Sequence, residues 1–177
     1  MKATGIVRRI DDLGRVVIPK ELRRTLHIGN GAQLEIFTGE GGDVIFRKYS
    51  PVAELGGACE EYLQQLARVA GVPAAVCDLD QILCATGAAK KEAVGMSVEP
   101  ALAAVLSARK ALVLGDQAIQ LGRTDHAVTA LCPIIASSQL IGGVLLVDGA
   151  KPGSADAACE LSLLTLTASF IALQFGD

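Results

Sequence analysis

Apolar and polar positions alternate along the first fifty residues in short, β-branched runs. "TGIVRRI" (4–10) and "GRVVIP" (14–19) read as two strands separated by the acidic turn "DDL". "QLEIFTGEGGDVIFRKY" (33–49) reads as two more strands around the glycine turn Gly39 to Gly42. Between these hairpins "PKELRRTLHI" predicts a short helix. Pro19 fits its first position, where no N–H is needed, and Gly29 ends it. The pattern changes at "KYSPVAELGG", where a Ser-Pro pair closes the strand-like segment. Beyond it, Leu55, Cys59, Tyr62, Leu63 and Leu66 recur at helical spacing and form one apolar stripe. Strands follow at "AAVCDLD" and "QILCATG", a helix at "VEPALAAVLSARK", strands at "AVTALCPII" and "LIGGVLLV", and a long helix from about Asp156 to the end.

This pattern predicts two domains, residues 1–51 and 52–177, the first β-rich and the second an α/β arrangement of ordinary domain size. Composition supports a packed core, with 51% hydrophobic residues. The charge is divided unevenly. Residues 1–50 hold nine Lys/Arg against six Asp/Glu, and residues 51–177 hold seven against thirteen, so a basic module at net +3 precedes an acidic one at net −6. Such asymmetry points to a polyanionic partner for the basic part.

Within that part, Arg8, Arg9, Arg15, Arg23 and Arg24 come from a strand, a turn edge and a helix that follow closely, a placement that lets them converge on one face. The guanidinium fork suits both phosphate oxygens and the guanine edge. A solvated face with Asp11, Asp12 and Glu21 as partners is the competing reading, and spacing alone weighs the two evenly. A fifty-residue segment without disulfide or metal cannot bury enough surface by itself, so it is expected to fold with a second copy; a two-fold body presents the same arginines twice, as a palindromic DNA site requires.

No catalytic constellation is present: there is no G-x-S-x-G elbow, Walker loop, G-x-G-x-x-G after a strand, or H-E-x-x-H. "GEGGD" precedes a strand rather than a helix and reads as a hairpin turn, not a phosphate cradle. His27 and His126 fall in different segments, and neither lies in a metal-type pattern. The expectation is therefore a non-enzyme with no metal and no cofactor. Cys59, Cys77, Cys84, Cys132 and Cys159 show no C-x-x-C spacing and fit reduced thiols in the cytoplasm. Cys77 and Cys84 lie on apolar strand patterns, where cysteine usually serves as a small hydrophobe, so redox sensing is the less favoured reading for them. No leader-like or membrane-spanning pattern opens or closes the chain.

The stretch "MKATGIVRRIDDLGRVVIPKELRRTL", with "LEIF" and "RKYSP", closely resembles the AbrB-type swapped-hairpin DNA-binding domain of bacterial transition-state regulators. The looser matches "VCDLDQILCATGAAKKE" and "LCPIIASSQLIGGVLLV" resemble the sporulation regulators that add a GAF-type domain to this module. The resemblance implies an α+β protein: an N-terminal swapped-hairpin β-barrel dimer followed by a GAF-like α/β sandwich. It implies a sequence-specific regulator of sporulation genes, binding double-stranded DNA in the cytoplasm, including the forespore. Its DNA face would carry Arg8, Arg15, Arg23 and Arg24, with Arg9 and Lys2 at the margin. Relatives form tetramers, two DNA-binding dimers joined through their GAF halves.

The uncharged run "LSLLTLTASFIALQF" agrees with such a junction and makes Leu161, Leu164, Phe170 and Phe175 the candidate subunit contacts. A core helix covered by its own sheet is the competing reading. GAF-type domains often bind a small molecule, whose identity here is open. Lys90 and Lys91 are the candidates for an anionic ligand at a pocket mouth, against the plainer reading of a solvated loop. Swapped-hairpin modules also occur in antitoxins, which act on a toxin through a mostly disordered tail; the well-patterned second segment speaks against that role.

Overall fold

A computed structural model describes residues 4–26, 28–29, 32–149 and 155–175. The chain divides into two compact units between Tyr49 and Ser50.

In the first unit, helix α1 (Lys20–Thr25) begins one residue after Pro19, whose carbonyl accepts from Arg23 N at 2.9 Å. Strands β1 (Leu34–Thr38) and β2 (Val44–Lys48) pair antiparallel from Leu34↔Lys48 to Thr38↔Val44. Gly41 and Gly42, both at positive φ, make the turn between them, and Gly39 N donates to Asp43 O at 2.8 Å. The strands expected at 4–10 and 14–19 differ: neither carries a ladder, although the turn between them is formed. A strand exists only through a partner, and within the described residues these segments have none. Apolar side chains in both remain in water, with Val7 85% and Val17 71% exposed. Among the described residues, the buried hydrophobic core is drawn from Val52 onward.

The second unit is built around one antiparallel sheet. After the short helix α2 (Pro51–Glu54), capped by Ser50, the chain breaks at Gly56, which sits at φ +46°, and enters α3 (Gly57–Ala70). There follow β3 (Ala74–Cys77), β4 (Ile82–Ala85), α4 (Ala89–Ala93), α5 (Pro100–Ser107), β5 (Leu112–Val113), β6 (Ile119–Gln120), β7 (Ala127–Ala136), β8 (Gln139–Val147) and α6 (Ala155–Leu173). The strand order is β4-β3-β8-β7-β5, with β6 also on β7.

The period of two along the strands separates two cores. Val76, Ala130, Cys132, Ile134, Val144 and Leu146 face α3 and α6, where Cys59, Leu63, Leu66, Leu164, Ala168 and Ile171 meet them. Ala75, Cys77, Leu131, Leu145 and Val147 face the opposite way, onto Leu102, Leu106, Leu121, Ala89 and Ala93. Burial on both faces explains why β3, β7 and β8 read as nearly continuous apolar runs.

Helix α6 buries one stripe and leaves the other side in water. Ala157, Glu160, Leu164, Ala168 and Ile171 lie against the sheet, whereas Leu166, Phe170 and Leu173 are exposed. Leu164, expected at a subunit contact, is instead a core residue at 0% exposure, because its position on the helical period places it over β7. Leu161 and Phe175 are half-buried, and Phe170 is 49% exposed.

Gly142 and Gly143 on β8 let the layers close. A Cβ on Gly142 would lie 2.2 Å from the Cys77 carbonyl oxygen, and one on Gly143 would lie 2.5 Å from a Leu106 methyl. The first obstacle is backbone and cannot rotate away. Gly142→Ala is therefore expected to destabilise the second unit by roughly 2–4 kcal/mol in urea unfolding. Gly57→Ala, at a helix start with open space around it, should stay within about 1 kcal/mol of the parent.

Candidate nucleic-acid interface

The basic residues of the first unit come from three consecutive pieces of chain. Arg8 and Arg9 lie before the turn, Arg15 closes it, and Arg23 and Arg24 occupy the last turn of α1, where cations also suit the helix dipole. Arg8, Arg9, Arg15 and Arg24 are exposed and Arg23 is half-buried. The Arg8 guanidinium donates to the neighbouring Val7 carbonyl at 3.3 Å. Lys2 lies outside the described residues. Arg47 on β2 sits 4.7 Å over the Phe37 ring, a cation–π contact within the hairpin.

Arg15 is the arginine whose geometry is most defined. The Asp11 carboxylate accepts from Leu13 N at 3.0 Å and Arg15 N at 2.8 Å through Oδ1, and from Arg15 Nε at 2.7 Å through Oδ2. The backbone closes the same turn, with Gly14 N donating to Asp11 O at 2.9 Å and Asp11 N to Arg15 O at 3.1 Å, and Gly14 adopts φ +75°. Asp11 thus holds the guanidinium by its Nε edge, and the side chain stays 70% exposed. The terminal nitrogens face outward from a fixed base, which is what bidentate recognition of a phosphate or a guanine edge needs. Donation by the Arg15 backbone and then its side chain holds the Asp11 carboxyl below its ordinary value. From sequence, Asp11 counted only as a neutralising partner in a solvated face; its positioning role required the turn geometry.

In the second unit the candidate ligand lysines are both exposed. Lys90, on α4, is bonded to Glu60 of α3 at the surface of the domain, and both lysines stand on a helix rather than in a loop. The sheet face beneath α4 and α5 is filled by Leu102, Leu106 and Leu121. A shallow open groove of about 430 Å³ runs instead along the outer side of α6, lined by Leu161, Ser162, Thr165, Leu166 and Ser169. Leu166 and Leu173 were not singled out from sequence; the uncharged run does not reveal which of its residues the sheet takes.

Residues 54–176 match the model of the family described as stage V sporulation protein T C-terminal, transcription factor. Residues 7–54 match that of the antidote-toxin recognition MazE family of bacterial antitoxins. The chain is 43% identical to stage V sporulation protein T of Bacillus subtilis (strain 168) over 150 residues, covering 82% of this chain and 84% of that protein. Its first part is 57% identical over 51 residues to the transition state regulatory protein AbrB of the same organism, covering 29% of this chain and 52% of AbrB. Two solved GAF domains align at lower similarity. One, from an Acinetobacter phosphoenolpyruvate-protein phosphotransferase, has a TM-score of 0.49 at 13% identity, covering 72% of this chain and 84% of that one. The other, from a GAF domain/HD domain protein of Geobacter sulfurreducens, has a TM-score of 0.48 at 18% identity, covering 70% and 97%.

The Asp11–Arg15 turn has a pH signature. A carboxyl held below its ordinary value supports the turn above that value and releases it as pH falls through the lowered one. The Arg15 Nε–H resonance is therefore expected to stand apart from those of Arg8 and Arg24 at neutral pH and to merge with them only under acid conditions, below the ordinary carboxylate range. In Asp11→Asn it should lie with the others at every pH. NMR titration of the arginine side chains checks both.

Proposed function

The chain belongs to the stage V sporulation protein T family, and from that premise we propose that it is a homo-oligomeric regulator that brings its arginines to palindromic DNA as a swapped-hairpin dimer. It is a DNA-binding transcription regulator of sporulation genes. The observation that carries the dimer is the absence of a core among the described residues of the first unit. Ile6, Val7, Ile10, Leu13, Val16, Val17, Leu26, Ile36, Val44 and Phe46 are all exposed there, and an isolated hairpin is at best marginally stable in water. Exchange of the segments 4–10 and 14–19 with a second copy supplies both the missing ladder partners and the missing burial. Such a dimer repeats Arg8, Arg15, Arg23 and Arg24 about a two-fold axis, with Arg9 and Lys2 at the edge, matching two half-sites. This reading places the chain in the cytoplasm, including the forespore.

The exposed side of α6 is the surface that joins dimers into a tetramer in this reading. Leu166, Phe170 and Leu173 lie on one side of a helix whose other side is already committed to the core. The GAF-like domain is then an oligomerisation and regulatory body, and its aliphatic interior leaves any small-molecule effector unassigned.

The match to an antitoxin family over residues 7–54 supports a second reading, in which the module binds a toxin. Copurification separates the two: a toxin would accompany the chain at fixed ratio, whereas a regulator brings DNA alone.

Two measurements test the proposal. With four arginines per chain facing DNA twice, the dimer neutralises at most roughly eight phosphates, and log affinity should fall against log salt with a slope no steeper than about −7. Arg15→Ala is expected to lessen that slope by about two if both copies lose a phosphate contact, or to relax sequence preference at nearly constant slope if both lose a guanine edge. Unchanged affinity and slope on specific and scrambled duplexes would remove these arginines from the interface. For assembly, Leu166→Glu or Phe170→Glu should halve the mass measured by light scattering while the second unit still unfolds cooperatively. Leu164→Glu should instead unfold that unit, since it places a charge in the core.

A further inference from the structure

Five thiols are distributed over the second unit, and two of them touch. Cys59 Sγ on α3 and Cys84 Sγ on β4 lie 3.6 Å apart, although 25 residues separate them in sequence. Cys59 is buried and Cys84 half-buried, so a small solute meets Cys84 first. The remaining three stand in other surroundings. Cys77 is buried against the Gly143 carbonyl, its thiol pushed up by burial to about 12, and Cys132 is buried beside Pro133. Cys159 is exposed on α6.

We propose that Cys59 and Cys84 form a reversible oxidation site, at which an oxidant of the peroxide class converts the thiol pair into a disulfide that ties α3 to β4. The site has an attacking and a resolving partner. Donation from the Cys59 thiol, aided by the Lys90 charge, holds the Cys84 thiol below its ordinary value against burial and Glu60. The same bond, together with burial, pushes Cys59 up. Lys90 is kept near by its pairing with Glu60, the residue after Cys59.

The Cys84 thiolate attacks one peroxide oxygen. The O–O bond breaks, the sulfur becomes a sulfenic acid, and the departing hydroxide takes up a proton as water. The Cys59 sulfur then attacks the Cys84 sulfur, the S–O bond breaks, and hydroxide leaves with the Cys59 proton as a second water. Two thiols are oxidised by two electrons in all, and one peroxide is reduced to two waters. The sulfurs need to close by about 1.5 Å to reach bonding distance, a movement within one helix–strand contact. Reduction by a thiol reverses the step.

Peptide mapping of the full chain tests this without any substitution. After treatment with hydrogen peroxide and alkylation under denaturing, non-reducing conditions, the expected product links the peptide containing Cys59 to the one containing Cys77 and Cys84, with fragment ions placing the bond on Cys84. Dithiothreitol should restore both thiols. The oxidised chain should melt roughly 5–10 °C higher in its second unit, because the cross-link shortens the unfolded chain. In a Cys159→Ser background, which removes links between molecules, the bond should persist in Cys77→Ser and vanish in Cys84→Ser. If Cys59 and Cys84 remain fully alkylated at peroxide levels that have consumed Cys159, or if the bond forms on Cys77, the pair is only a packed contact and the proposal is overturned.

Discussion

Apolar side chains must be withdrawn from water for a chain to hold one shape, and the two units of this protein meet that requirement in opposite ways. The second buries both faces of a single antiparallel sheet, α3 and α6 on one side and α4 and α5 on the other. The first distributes its β-branched residues over segments too short to cover one another, and leaves them exposed within the chain. Self-sufficient burial in one unit and its absence among the described residues of the other is the contrast on which the proposed dimer rests.

In the proposed dimer this dependence would serve a regulator. When folding of the basic module is inseparable from dimerisation, the arginines reach DNA only in symmetric pairs. Recognition then depends on how well each guanidinium is held. The turn from Asp11 to Arg15 places an acidic residue inside a basic surface: one carboxylate orders the loop backbone and grips Arg15 by Nε, while the side chain stays largely exposed. The local loss of net positive charge is exchanged for direction. Residues 51–177 are acidic overall, at net −6, so the charge balance favours the first fifty residues as the part that attracts polyanions.

Helix α6 presents two different apolar stripes. Its stripe at Leu164, Ala168 and Ile171 completes the core, and the opposite stripe at Leu166, Phe170 and Leu173 remains available. On the far side of the same core, the contact between Cys59 and Cys84 joins the first long helix of the unit to the edge strand β4. Lys90 supports that contact through Glu60 rather than facing a ligand.

Much of this was legible along the chain. The hairpin at Gly39 to Gly42, the strands at β3, β4, β7 and β8, and helices α3, α5 and α6 follow from periodicity and turn residues, which report local preference. The basic character of the first fifty residues, and the arginines that compose it, are equally a property of the sequence. What periodicity cannot convey is which partner a segment finds. The runs at 4–10 and 14–19 have strand-like composition but no ladder, because pairing is a long-range event that the segment does not contain. Leu164 and Leu166 are alike in type and two positions apart; only the placement of the helix on β7 decides that the first is core and the second is surface. Lys90 read as a loop cation until the fold brought Glu60 to it, and Cys59 and Cys84, unremarkable as separate thiols, became a pair only when α3 crossed β4. Local residue preferences determined the elements, and the packing of distant elements decided which side chains were left to act.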